Sequence, residues 1–174
     1  TADISKAFLM VELDPEDRKF FKFLWVTSNE EIIAYQFNRV PFGTTASPFL
    51  LYSALVKAFS THPLSSNDPE TFISKFYVDD FLTSADTTQD IESISTVCTE
   101  VLKSYGFNLS KFVNNFEKSE TLSSSVLGLL WNIQNDTLAV KSIDSREFQT
   151  PRQLTSFIAK HYDVFGTLSP YLSE

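Results

Sequence analysis

Cysteine, histidine and surplus positive charge are what this sequence has little of. A single cysteine, Cys98, in 174 residues rules out an intrachain disulfide and a cysteine-based zinc site. Set in an apolar helical pattern, it reads as a buried small hydrophobe. The two histidines, His62 and His161, lie far apart among neighbours that carry no chemistry. Lys and Arg number 14 against 22 Asp and Glu, a net charge of −8. Both halves share the acidic excess, and no basic stripe is present to grip a phosphate backbone, which counts against independent, tight DNA or RNA binding. There is no run of about 18 apolar residues, and no basic segment followed by an apolar one at the start, so neither a membrane span nor a signal peptide is expected. Internal repeats and low-complexity linkers are missing as well.

Apolar and aromatic residues are plentiful. Hydrophobic residues make up 43% and Phe alone occurs 17 times, which excludes a disordered chain and predicts an aromatic-rich core. The length suits one domain, or one domain with a piece of a second. The chain opens on Thr1-Ala2-Asp3-Ile4, the end of a strand without an initiator methionine, and reads as a fragment.

Along the chain, strands in pairs alternate with helices. Asp14-Pro15-Glu16-Asp17 combines an N-cap, a proline at the first helical position and acids in the first turn, and predicts a short helix. Phe21 to Thr27 and Glu31 to Asn38 read as a hairpin, with Ile33, Tyr35 and Phe37 on one face. Pro41 then breaks the sheet. From Thr45 to Phe59 the spacing of Phe49, Tyr52, Leu55, Val56 and Phe59 predicts a helix packed on a sheet. A polar loop, His62 to Pro69, leads to a hairpin from Phe72 to Ala85. Thr87 with Asp90 forms a capping box ahead of the stripe Ile91, Ile94, Cys98, Val101 and Tyr105, and Gly106 with Phe107 ends that helix. Ser125 to Trp131 and Thr137 to Lys141 read as a further hairpin. Thr150-Pro151-Arg152-Gln153 starts a last helix, running to Gly166. The sum is an α+β fold, antiparallel sheet with packed helices.

Two adjacent acids, Asp79 and Asp80, follow Phe76-Tyr77-Val78 where the backbone reverses. Their mutual repulsion would be relieved by a cation, and hard oxygen ligands suit Mg²⁺. A solvated turn accounts for the same pair, since Asp hydrogen-bonds its own backbone in turns. Asp3 ends the first strand. If that strand lies beside the hairpin, three carboxylates converge, an arrangement that can hold two metal ions for phosphoryl displacement.

Ala2-Asp3-Ile4-Ser5-Lys6-Ala7-Phe8 resembles the first catalytic motif of reverse transcriptases, an Asp followed five residues later by an aromatic. Val40-Pro41-Phe42-Gly43-Thr44-Thr45-Ala46-Ser47-Pro48 resembles their second, a Pro-x-Gly turn leading to Ser-Pro at a helix start, and Tyr77-Val78-Asp79-Asp80 resembles the third. The three stand in the family's order. Phe23-Leu24-Trp25, Tyr35 to Gly43, Thr83-Ser84-Ala85-Asp86, Gly106 to Lys111 and Phe165 to Pro170 look like runs typical of the BEL/Pao group of long-terminal-repeat retrotransposons.

The resemblance implies a polymerase palm of the reverse-transcriptase type over residues 1–144, with its fingers before Thr1 and the start of a thumb or connection region at 145–174. It implies RNA-directed DNA polymerase chemistry, in which two metal ions assist the extension of a DNA primer with dNTPs. Asp3 and Asp79 would be the principal ligands of Mg²⁺, or of Mn²⁺, with Asp80 a further one. Backbone atoms of Ile4 to Ala7 would face the triphosphate, and Phe8 would lie under the sugar. Tyr77 and Val78 would border the primer terminus, Gly43 would approach the template base pair, and Lys111 would assist the departing pyrophosphate. Leu127, Gly128 and Trp131 would belong to the primer grip. The implied partners are primer-template RNA or DNA, dNTP and the remainder of a retrotransposon polyprotein, with no membrane, in a cytoplasmic virus-like particle. Two departures stand out: Phe42 occupies a position that is Gln in retroviral enzymes, and Thr44 one that is usually apolar in the group. The alternative is a non-catalytic relict or domesticated interaction domain that keeps the palm fold, which the acidic balance and the absent fingers would fit.

Overall fold

The computed structural model describes residues 1–116, 122–140, 149–160 and 166. The chain forms two units, Thr1–Phe112 and Val113–Glu174. In chain order the first contains β1 (Ala2–Ile4), α1 (Ala7–Met10), β2 (Lys22–Val26), β3 (Ile32–Gln36), α2 (Ser47–Thr61), α3 (Pro69–Ile73), β4 (Phe76–Tyr77), β5 (Asp80–Phe81), α4 (Thr88–Ser104) and β6 (Leu109–Ser110).

Four short strands make an antiparallel sheet in the order β4-β5-β1-β6. Because side chains alternate along a strand, its register divides it into two faces. Ala2 pairs with Phe81, and Phe81 with Phe76; Ile4 pairs with Leu109. Ala2, Ile4, Phe81 and Leu109 are buried, in one core with Leu51, Leu55, Ala58 and Phe59 of α2 and Cys98, Val101 and Leu102 of α4. Phe72, Phe59, Phe76 and Phe81 follow ring to ring at 5.9, 5.6 and 5.1 Å, so the hairpin rests on an aromatic chain. Burying one such ring contributes roughly 1.5–3 kcal/mol. The opposite face carries the polar residues.

Local signals account for the helix ends. Thr87 Oγ1 accepts from Asp90 N at 3.2 Å, the expected N-cap bond, and donates to Asp90 Oδ2 at 2.6 Å, so the acid of the expected box reaches back to the Thr87 hydroxyl. At the far end Gly106 is left-handed (φ 83°), Phe107 N donates to Leu102 O at 2.9 Å and Gly106 N to Lys103 O at 3.1 Å, the paired bonds of a Schellman ending. Cys98 is buried, as its apolar setting predicts, and burial pushes its thiol up to about 12.

Several expectations are corrected. Residues Pro69–Ile73 are helical, between the loop expected to end at Pro69 and the hairpin expected from Phe72: Asp68 caps Thr71 N, and Pro69 stands at the first position, the same Asp-Pro start as at Asp14. The hairpin proper is two short strands, and its two-residue turn is Val78-Asp79, so Asp80 lies inside β5 instead of in the turn. In α2, Phe49 and Tyr52 are exposed while Leu51 and Ala58 are buried: the core face is rotated by about one position, because aromatic size and not register guided the expectation. The short helix expected after Asp14 is a turn followed by a single 3-10 turn, Arg18–Phe20, so it begins later than Pro15. The β2–β3 hairpin forms as predicted, with Phe23 opposite Tyr35 and Trp25 opposite Ile33, but all ten of its residues are exposed.

The second unit has β7 (Ser123–Val126), β8 (Leu129–Asn132) and β9 (Thr137–Ala139) in an antiparallel sheet, then α5 (Pro151–Lys160). The expected single strand from Ser125 to Trp131 is instead two, split by a turn at Leu127-Gly128, where both residues are left-handed (φ 46° and 86°). The apolar run hid this turn. Thr150 caps α5 through Gln153 N, as predicted. The expected palm–thumb boundary at 144/145 and the helix continuation to Gly166 fall outside the described residues.

Candidate active site

On the face of the first sheet turned away from the core, the register lines up Tyr77, Asp80, Asp3 and Ser110, one from each strand. Asp3 sits between the buried Ala2 and Ile4, so alternation alone turns its side chain to this face. β1 thus lies beside the hairpin, the condition on which convergence of the acids depended, and Asp80 is the residue directly opposite Asp3. Asp79 lies in the turn, where its carbonyl accepts from Ile4 N at 2.9 Å and ties the hairpin tip to the end of β1.

Like charges placed opposite one another on neighbouring strands repel. Asp80 accordingly holds its proton above the ordinary carboxylate value, through partial burial first, then the charges of Asp79 and Asp3, with Lys111 pulling the other way. Lys111 follows β6 in a left-handed conformation (φ 57°), and its Nζ donates to Asp3 Oδ2 at 2.8 Å. That hydrogen bond, then the Asp3 charge, holds the ammonium more firmly protonated than usual. Ser110 Oγ and Ser5 Oγ, 2.7 Å apart, tie β6 to the segment leaving β1.

The remaining residues singled out by sequence fall in three places. Tyr77 is exposed on the acidic face, 63% accessible, beside Asp80. Val78 is left-handed (φ 59°), a strained conformation for a β-branched residue, at the first turn position where a type II′ turn demands positive φ. Phe8 is buried in the core and meets the exposed ring of Phe42 edge to face at 5.0 Å. Gly43 is left-handed (φ 83°) with open space where a Cβ would stand, so conformation and not crowding calls for glycine. Its turn is held by Ser47, buried at the start of α2, whose Oγ donates to Pro41 O at 2.7 Å and bonds Thr44 Oγ1. Ser47 and Ser110 were not singled out as site residues by sequence. Of the backbone amides from Ile4 to Ala7, Ile4 N and Ser5 N are already bonded, to Asp79 O and Asn108 O. In the second unit, Leu127 and Gly128 form the β7–β8 turn, and Trp131 donates from Nε1 to Asp136 Oδ1 at 2.9 Å.

Among the described residues no three Asp, Glu, His or Cys side chains are gathered so as to hold a metal ion unaided. The donor chemistry still fits Mg²⁺, which keeps one or two carboxylates and completes its octahedron with substrate phosphates and water. Oxygen donors on a half-exposed sheet face therefore suit a hard cation that arrives with a phosphate-bearing partner. Among the described residues no helix is long and apolar enough to cross a membrane.

An antiparallel sheet that presents acids on its open face and packs helices on the other is the α+β arrangement of a reverse-transcriptase palm. Residues 1–133 match the family described as reverse transcriptase (RNA-dependent DNA polymerase), and the chain belongs to it. It is also similar to the Gag-Pro-Pol polyprotein of squirrel monkey retrovirus, with 28% identity over 110 residues, which are 62% of this chain and 6% of the polyprotein. The chain therefore spans a small part of the relative it matches.

Proposed function

We propose that this chain is the palm of an RNA-directed DNA polymerase and carries its nucleotidyl-transfer centre, the reaction in which a primer 3′-hydroxyl attacks the α-phosphate of a dNTP. The observation that supports it most is the cross-strand row Tyr77, Asp80, Asp3, Ser110, with Asp79 in the adjoining turn, inside a chain that belongs to the reverse transcriptase family. Asp3, Asp79 and Asp80 would hold Mg²⁺ with the triphosphate, and the ions would supply charge neutralisation at the attacking and leaving oxygens. Tyr77 and Val78 would border the primer terminus, while the Phe8 and Phe42 rings would border the sugar. Gly43 would lie against the template base pair. Leu127, Gly128 and Trp131 would form the primer grip, and Lys111 would face the phosphates. Template-primer RNA or DNA and dNTP are the corresponding partners, within a larger polyprotein like the one this chain resembles. The runs around Phe23 to Trp25, Tyr35 to Gly43 and Gly106 to Lys111 support a BEL/Pao-type retrotransposon as the source. A thumb or connection region would begin near residue 145, after a palm ending at 144.

Primer extension tests the reading. The chain is assayed in the longest polypeptide its coding sequence specifies, on an RNA template with a DNA primer, beside Asp3→Asn and Asp79→Asn versions. Extension that collapses in both versions supports the assignment. Equal extension by all three would refute it.

A further inference from the structure

Asp3 is engaged in an ion pair with Lys111. Lys111 Nζ lies 2.8 Å from its Oδ2, and among the described residues this is the one ion pair that joins distant parts of the chain, the others linking neighbours near Arg18 and Lys19. Its two ends are unequal: the Lys111 side chain is 75% accessible, that of Asp3 only 29%. The backbone beneath the lysine is held independently of that contact. β6 pairs with β1, Ser5 N donates to Asn108 O at 2.8 Å, and the Ser5 and Ser110 hydroxyls bond each other. The ammonium can therefore leave without loosening the sheet.

An ammonium and a divalent cation on one carboxylate repel each other, so their occupancy of Asp3 is competitive. Lysine suits such a role, being a compact charge on a flexible stem that releases one partner for another at little geometric cost. Lys111 also feels the charges of Asp79 and Asp80, so it partly neutralises the whole acidic face.

We propose that Lys111 is a resident counter-ion of Asp3 that a divalent cation must displace, so that the acidic face takes up its ion with nucleotide phosphates and holds it weakly alone. The inference rests on the reading of Asp3, Asp79 and Asp80 as metal ligands. It makes Lys111 a positioning residue in the metal-free protein, distinct from any later contact with phosphate.

The test is direct Mn²⁺ binding to the full 174-residue chain without nucleotide, followed by electron paramagnetic resonance. Melting curves check that each variant is folded. Lys111→Met is expected to bind Mn²⁺ roughly two- to fivefold more tightly than wild type, the scale of losing one exposed ion pair. Lys111→Arg, which keeps the charge, should stay near wild type. Unchanged affinity in Lys111→Met, with binding lost in Asp79→Asn, overturns the counter-ion role and leaves the metal-site reading intact. Binding that is absent from every version at millimolar Mn²⁺, Lys111→Met included, overturns the counter-ion role, and Mn²⁺ binding in the presence of dNTP that is indifferent to Asp79→Asn overturns the metal-site reading as well.

Discussion

Asp3 and Asp80 are direct cross-strand partners on β1 and β5, on a sheet face whose reverse side is buried through Phe81, Ala2 and Ile4. The sheet core fixes both backbones, so the two side chains rise from opposed positions on one face. Ionisation of Asp80 therefore works against the stability of this sheet face.

The first prediction concerns that conflict. An acid whose pKa rises on folding binds its proton more tightly in the folded chain. Its ionised form thus opposes folding above the raised pKa, and the penalty fades as pH falls through that value toward the ordinary carboxylate range. Asp80 is such an acid, raised by burial and by Asp79 and Asp3. Asp80→Asn is expected to stabilise the metal-free chain at neutral pH by about 0.5 kcal/mol, the scale of opposed like charges in a sheet. Urea unfolding in a chelator should show the gain at neutral pH and its decline in acid.

Beneath the acids lies the aromatic chain. Phe59 is fully buried and touches the rings of Phe72 and Phe76, the latter in contact with Phe81. Phe59→Ala should cost about 3–5 kcal/mol, a large share of a small domain's stability. Denaturant titration would measure this, and hydrogen exchange should show the Phe76 to Phe81 amides losing protection most.

Cys98 offers a probe of global opening. It is buried within α4, and burial has driven its thiol to about 12, so almost no thiolate exists near neutral pH. A thiol-disulfide reagent should leave the folded chain unmodified at pH 8 and label it stoichiometrically in denaturant. Rapid labelling of the folded chain would contradict the packing of α4.

The β2–β3 ribbon carries apolar side chains on both faces, Leu24 71% and Trp25 59% accessible among them. Two strands with such faces are prone to associate. Replacing Leu24 and Trp25 together by Ser is expected to reduce self-association in analytical ultracentrifugation. Because both are exposed, unfolding free energy should change by no more than about 0.5 kcal/mol.

Sequence alone determined the features whose causes lie within a few residues. The Thr87–Asp90 box, the Gly106 ending and the β2–β3 hairpin were legible because each is made by neighbours whose geometry depends on little else. The three motifs that mark the family were legible for a related reason, being short runs read in order. Tertiary structure alone decided which residues meet across the sheet. Asp3 faces Asp80 and not Asp79 because the turn is Val78-Asp79, and a shift of one residue in that turn would send Asp80 to the core face. Lys111 reaches Asp3 from 108 residues away because β6 pairs with β1, a contact that no local spacing encodes. The orientation of α2, with Leu51 inward and Phe49 outward, was likewise set by what the helix packs against. Local chemistry wrote the elements, while long-range register set Asp3 and Asp80 side by side on one sheet face.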